Sequence, residues 1–161
     1  MNIPSFSCAL VALSCMTAQA ADDSDLTRLT TCQESWIDWS KSDPARLQKM
    51  GEYFRGRFSH HDNDPFSVPK AETSVLGLRI VQAFPDSVGM GVGFSLLVDA
   101  PLDTARKRME AVLRKKVEHC EASDGMHSCD LPIAEKRTVV LMSVDTEKNK
   151  TLIGCYYYYE K

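Results

Sequence analysis

Two cysteines placed symmetrically about an Asp-Gly pair constrain this chain more than any other feature. Cys120 lies four residues before Asp124, and Cys129 lies four residues after Gly125. Asp-Gly favours the two-residue turns that close antiparallel hairpins, so the cysteines would face each other across the strands. Counted outward from the turn, they form a non-hydrogen-bonded pair, in which opposite side chains lie closest. The spacing therefore predicts a hairpin with a Cys120–Cys129 disulfide.

Two further cysteines, Cys32 and Cys155, follow the N-terminal segment. Four cysteines allow three pairings, and the predicted hairpin leaves Cys32 to pair with Cys155. That bridge would join the first helix to the last strand. Disulfides are typical of proteins outside the cytoplasm. A competing hypothesis is a zinc site formed by the two hairpin cysteines with His119 and His127, but the spacing fits no common zinc pattern.

The first 20 residues are typical of a secretory signal peptide. They contain no charged side chain, and an apolar run from Cys8 to Cys15 precedes Ala18-Gln19-Ala20, so we expect cleavage after Ala20. Ser14-Cys15 weakly resembles a lipoprotein site, although Ala12 stands where a large aliphatic residue is usual. We expect a periplasmic or secreted protein with one domain over residues 21–161. We expect no transmembrane anchor, because a span needs roughly 20 apolar residues.

Charge and composition narrow the class of partner. The chain has 19 Lys and Arg against 22 Asp and Glu, a net charge of −3, which argues against a nucleic-acid partner. Basic clusters at Arg106-Lys107-Arg108 and Arg114-Lys115-Lys116 are typical of a solvated helix face, with an anionic partner surface as the alternative. A hydrophobic content of 43% is ordinary for a globular domain rather than a disordered chain.

Apolar spacing predicts three helices. Leu26, Leu29, Trp36 and Ile37, with Cys32 on the same side, indicate the first helix. Ser42-Asp43-Pro44 would end it and begin a second, because a capping residue followed by proline is typical of a helix start. The third would begin near Pro101 and continue to about Val117. Residues 59–69 read as a loop.

Five segments have the pattern of strands, three of them after the third helix: Leu78 to Phe84, Val88 to Val98, Met126 to Ile133, Thr138 to Asp145 and Thr151 to Tyr159. The predicted fold class is α+β. Two N-terminal helices and one internal helix would pack on one face of an antiparallel sheet of about five strands, with the disulfides as staples.

Glycines at alternate positions of one predicted strand suggest a binding surface. Gly89, Gly91 and Gly93 leave one strand face without side chains, so either another element packs closely or a partner approaches the backbone. This spacing differs from the dinucleotide-binding fingerprint. In the last strand Tyr156 and Tyr158 would point outward, and exposed tyrosines serve interfaces well. We therefore predict a binding surface formed by these five residues.

A polar loop offers the best alternative for chemistry. His60, His61, Asp62 and Asp64 combine imidazoles with carboxylates, which could bind a divalent metal or transfer protons. Neighbouring loop residues rarely converge on one centre without partners from elsewhere, so a solvated loop is the simpler interpretation. The sequence contains no G-x-S-x-G elbow, H-E-x-x-H motif, P-loop or EF-hand loop.

These observations favour a non-enzymatic exported binding protein without a cofactor, which would meet a protein partner outside the cytoplasm. An inhibitor or immunity-type protein that blocks an enzyme or toxin is the leading hypothesis. The alternative is a small hydrolase or metal-dependent enzyme that uses the His60-to-Asp64 loop. A third hypothesis is a carrier of a small apolar ligand, which would require a cavity between helices and sheet.

Overall fold

A computed structural model describes residues 24–89 and 91–157. The expected signal peptide at residues 1–20, Met90 and Tyr158 lie outside the described residues. The described part contains four α-helices and a short 3-10 helix (Asp145–Glu147); the α-helices are α1 (Ser24–Thr30), α2 (Trp36–Ser42), α3 (Pro44–Arg57) and α4 (Leu102–Leu113).

The helices are packed with one large antiparallel sheet, so the predicted α+β class is confirmed. The strands are β1 (Phe58–His60), β2 (Ser67–Pro69), β3 (Ser74–Val75), β4 (Leu78–Phe84), β5 (Ser87–Val88), β6 (Gly91–Val98), β7 (His119–Ser123), β8 (Met126–Ala134), β9 (Arg137–Val144) and β10 (Thr151–Tyr157). Their order is β1-β2-β4-β6-β10-β9-β8-β7, with β3 paired to β4 and β5 to β6. The last strand in sequence thus lies in the middle of the sheet.

The expected number of about five strands is wrong, since the described residues form ten. Part of the difference lies in residues 59–69, which read as a loop but contribute to β1 and β2. These two strands pair with each other, and Ser67 pairs with Ala83 of β4. Such short polar strands are specified by their partners in the sheet rather than by their own sequence pattern.

The first predicted helix is two helices. Cys32 has a positive φ of 60°, which ends the helical path after α1. The Ser35 side chain then caps α2 by accepting hydrogen bonds from the amides of Ile37 and Asp38 at 3.1 and 3.3 Å. The break predicted at Asp43-Pro44 is present, because Asp43 ends α2 and its side chain caps α3.

The helices lie on one face of the sheet, which we call the inner face. Fully buried inner residues of the central strands, among them Phe94, Leu96, Leu141 and Ile153, pack with Leu26 of α1 in one core cluster. Strand residues alternate between faces. The side chains between these core residues therefore form an outer face, on the opposite side of the sheet.

Both predicted disulfides are present. Cys120 and Cys129 are register partners, with Cα atoms 4.1 Å apart, and the Asp124-Gly125 turn has the positive φ angles of 50° and 75° that a tight hairpin requires. Cys32 is bonded to Cys155 across 123 residues, and joins α1 to β10.

Candidate functional site

The glycine strand and the tyrosine strand are neighbours in the sheet. Tyr156 of β10 is the register partner of Gly93 of β6. A Cβ atom on Gly91 would overlap the ring of Tyr156. The side chain that glycine lacks at this position is therefore replaced by a tyrosine ring from the adjacent strand. Sequence reasoning proposed these residues as one surface, and the structure brings Gly91, Gly93 and Tyr156 together on the outer face.

Gly93 is required by close packing within the protein. A Cβ atom there would overlap the carbonyl oxygen of Cys155 and lie 2.6 Å from a methyl group of Val88. Val88 is only 4% exposed, although it lies outside the main core cluster. Val88, in the segment that connects β4 to β6, thus packs against the outer face of the sheet. The strand face that Gly93 leaves without a side chain is therefore covered by the protein's own residues.

Gly89 lies in the tight turn between β5 and β6. Its φ is +57°, and a Cβ atom there would lie 3.2 Å from the terminal methyl group of Met142. This turn therefore reaches from β6 to the outer side of β9. Tyr158, the fifth residue of the predicted surface, lies outside the described residues.

An apolar row crosses the three central strands on the outer face. Leu152 of β10 pairs with Leu97 of β6 on one side and with Met142 of β9 on the other. Val140 and Tyr156 lie on the same face, and all five side chains are partly exposed. We call these five residues the outer patch. Their exposure was not evident from sequence, because it depends on which strands flank β10.

Polar residues border the outer patch. Met142 pairs with Ser128, and Ser128 pairs with Glu121 at the edge of the sheet. Val140 pairs in the same way with Asp130, which pairs with His119. An apolar centre with a polar rim is the usual composition of a protein interface.

The side chains of the His60-to-Asp64 loop do not converge on one centre within the described residues. His60 ends β1 and pairs with Ser67, whose Oγ lies 3.5 Å from the imidazole Nδ1, while His61 and Asp62 are exposed. In the described residues, no side-chain hydrogen bond or ion pair joins either histidine to Asp62 or Asp64. Nor does any group of three or more His, Cys, Asp or Glu side chains there have the arrangement of a metal site. The enzyme hypothesis stays a prediction.

The zinc alternative at the hairpin is wrong, because Cys120 and Cys129 are bonded to each other. Zinc binds cysteine as the thiolate, which the disulfide removes. The nearby His127 instead pairs with Asp145, at 3.1 Å.

The basic helix face is partly neutralised by its own residues. Arg106 pairs with Asp103 at 2.9 Å, and Lys116 with Glu110 at 3.3 Å. The backbone amide of Val117 and the ammonium of Lys116 lower the pKa of the Glu110 carboxyl. This arrangement accords with a solvated helix end. The helix finishes at Leu113, earlier than predicted, because Arg114 adopts a left-handed conformation.

An apolar groove of about 390 Å³ lies between α1, α2, α3 and the connection from β4 to β5. Its floor includes Leu29 and Met50, which are 1% and 8% exposed. Its described lining residues are Leu29, Trp36, Leu47, Met50, Gly51, Phe54, Pro85 and Asp86. No sequence signal pointed to this groove, since it is formed by segments that meet only in the folded protein.

No helix in the described ranges has the length and apolarity needed to cross a membrane. Comparison with known proteins adds no family: no protein-family model matches the chain, and neither the curated proteins nor the solved structures show a significant similarity to it.

Proposed function

We propose that this chain is a non-enzymatic binding protein that acts outside the cytoplasm, where it blocks an enzyme or toxin by docking against it. The observation that supports this proposal is the outer patch. It is a partly exposed apolar surface on the side of the sheet away from the helices.

The composition of the outer patch suits a protein partner. Leu97, Leu152 and Met142 form a continuous row because their strands are direct neighbours. Tyr156 adds a large side chain with a polar end, and tyrosine is enriched among the residues that dominate binding energy. Methionine adapts its shape to different apolar surfaces. Together with the polar border, these residues provide an apolar centre that a partner could exclude from water.

The Cys32–Cys155 bridge supports binding by holding the patch rigid. Cys155 immediately precedes Tyr156, is fully buried, and is bonded to Cys32, just after the end of α1. The backbone that carries Tyr156 is therefore fixed before a partner arrives. A preorganised surface loses less conformational entropy on association, which increases affinity. The two disulfides also accord with an oxidising compartment.

Capture of the partner from the extracytoplasmic fraction of the source organism would test this proposal. Leu152→Glu places a charge at the centre of the outer patch, and we expect partner capture to fall by at least about tenfold, because an unpaired charge would be buried. Mass spectrometry would identify and quantify the captured protein. Circular dichroism would establish that the variant is folded.

Val112→Glu is the matched control. Val112 lies on α4, outside the outer patch, and is 43% exposed, so the same charge there should leave capture unchanged. Equal capture by the folded Leu152→Glu variant and the unaltered protein would show that the outer patch is not the binding surface.

A further inference from the structure

The apolar groove adjoins a second concave region, which is lined by basic residues. This region has a volume of about 500 Å³ and shares Phe54 and Pro85 with the groove. Its described lining also includes four basic side chains, which are Arg55, His60, His61 and Lys70. The two regions therefore adjoin along α3, with Phe54 and Pro85 at their common border, and we call this pair of an apolar and a basic region the channel.

Two of the basic residues that line the second region, Arg55 and Lys70, are linked through the backbone of α3. The Nη1 atom of Arg55 lies 3.4 Å from the position that a Cβ of Gly51 would occupy, and Gly51 lines the apolar groove. Lys70 donates a hydrogen bond from Nζ to the carbonyl oxygen of Arg55 at 2.7 Å. No ion pair is found for Arg55 or Lys70 within the described residues, so both charges are available to a ligand.

We infer that this channel binds a single-chain fatty acid, with the alkyl chain in the apolar groove and the carboxylate in the basic region that Arg55 and Lys70 line. The apolar end is lined by aliphatic and aromatic side chains, and Asp86 is the one charged residue in its described lining. The basic region supplies the guanidinium of Arg55, which can match a carboxylate by two parallel hydrogen bonds, and the ammonium of Lys70. An anionic head with an apolar tail complements both ends.

The fatty-acid site is separate from the outer patch. The channel is lined by residues of α1, α2, α3, β1, β2 and the β4–β5 connection, none of which belongs to the outer patch around Leu152. If the partner-capture experiment fails, the fatty-acid inference is therefore unaffected. If dodecanoate does not bind, the proposed function is likewise unaffected.

Isothermal titration of the disulfide-bonded protein with dodecanoate, kept below its micelle concentration, tests the inference. We expect binding at one site. The Arg55→Ala/Lys70→Ala variant should bind at least about tenfold more weakly, because it loses the charge-assisted contacts to the head group. Leu47→Asp should also weaken binding, since it places a carboxylate where the alkyl chain would lie. Dodecyltrimethylammonium, which has the same tail and the opposite charge, should bind at least about tenfold more weakly than dodecanoate.

The Lys107→Ala/Lys115→Ala variant is the matched control, because it removes two exposed cations from the α4 region, away from the channel. It should bind dodecanoate like the unaltered protein. Three results would overturn the inference: the absence of dodecanoate binding, equal affinity for the cationic analogue, or unchanged affinity in the Arg55→Ala/Lys70→Ala variant. Circular dichroism of each variant would verify that the fold is retained.

Discussion

The two disulfides hold parts of the molecule that differ in almost every other respect. Cys32 and Cys155 are 1% and 0% exposed, and the bridge joins α1 to the strand at the centre of the sheet. Cys120 lies on β7, where every residue is exposed, and its bridge spans nine residues within one hairpin at the edge of the sheet. The Cys32–Cys155 bridge lies inside the packed core, whereas the Cys120–Cys129 bridge lies in a hairpin that is mostly exposed.

This difference indicates two roles. Core packing already holds α1 against β6 and β10, so the long bridge adds to a region with many other contacts. The β7–β8 hairpin has Cys129 as its one buried residue, so its bridge substitutes for missing core contacts. We therefore expect the long bridge to determine global stability and the short bridge to determine local order.

Removal of the long bridge should have the largest effect. In the chain-entropy account a closed loop of this length contributes about 5 kcal/mol, against about 3 kcal/mol for the short loop. Urea unfolding of Cys32→Ala/Cys155→Ala should therefore show a large loss of unfolding free energy. Cys120→Ala/Cys129→Ala is the matched variant. We expect it to lose less stability and to show faster amide hydrogen exchange, mainly in β7 and β8. Equal losses in the two variants would contradict the assignment of different roles.

The packing around the long bridge can be probed at Gly93, which touches the backbone of Cys155. Alanine at this position would overlap the Cys155 carbonyl oxygen, so we expect a loss of roughly 2 kcal/mol in unfolding free energy. Gly56 of α3 is a suitable control, because a Cβ there has no atom within 4 Å. Gly56→Ala should be neutral or stabilising by up to about 1 kcal/mol. A neutral Gly93→Ala variant would mean that β6 and β10 can separate locally.

A smaller, pH-dependent effect is expected from Tyr157, two residues after Cys155. The hydroxyl is buried near Ser35 and the amide of Trp36 and has no hydrogen-bond partner among the described residues, and burial raises its pKa well above the usual value. A raised pKa favours the protonated form in the folded state. Stability is therefore fully present below the unfolded pKa of roughly 10 and declines as the pH rises above it.

The comparison with Tyr157→Phe isolates this contribution. Near neutral pH the variant should lie within about 1 kcal/mol of the unaltered protein, since the lost hydroxyl has no partner. Above pH 10 the unaltered protein should lose up to about 1.4 kcal/mol per pH unit relative to the variant. Parallel stability curves from pH 8 to pH 11 would show that this hydroxyl ionises freely in the folded protein.

Features with a local cause could be predicted from the sequence. The Asp124-Gly125 turn fixes which residues of β7 and β8 face each other. Counting residues outward from the turn therefore predicts the Cys120–Cys129 disulfide, which is present. Asp43-Pro44 likewise marks a helix boundary through capping and proline geometry. By contrast, the break after α1 depends on a positive φ at Cys32, a residue whose type does not favour that conformation.

The candidate surfaces depend on contacts between segments that are far apart in sequence. Less of these surfaces can therefore be predicted from the sequence. Alternating glycines indicated a bare strand face, but only the insertion of β10 beside β6 shows that Tyr156 fills it. The channel along α3 requires α1, α2 and the β4–β5 connection to meet, and β1 and β2 to form. None of these contacts leaves a pattern within a single stretch of sequence.

The central position of β10 has a consequence for how the chain can fold. Among the described residues, strands β1 to β6 and strands β7 to β9 are joined side by side only through β10, the last of the described strands in chain order. Until β10 is synthesised, β6 and β9 each have an unpaired edge that could associate with another chain. The sheet can therefore close only after β10 has emerged, and earlier folding intermediates with these two open edges would be prone to aggregation.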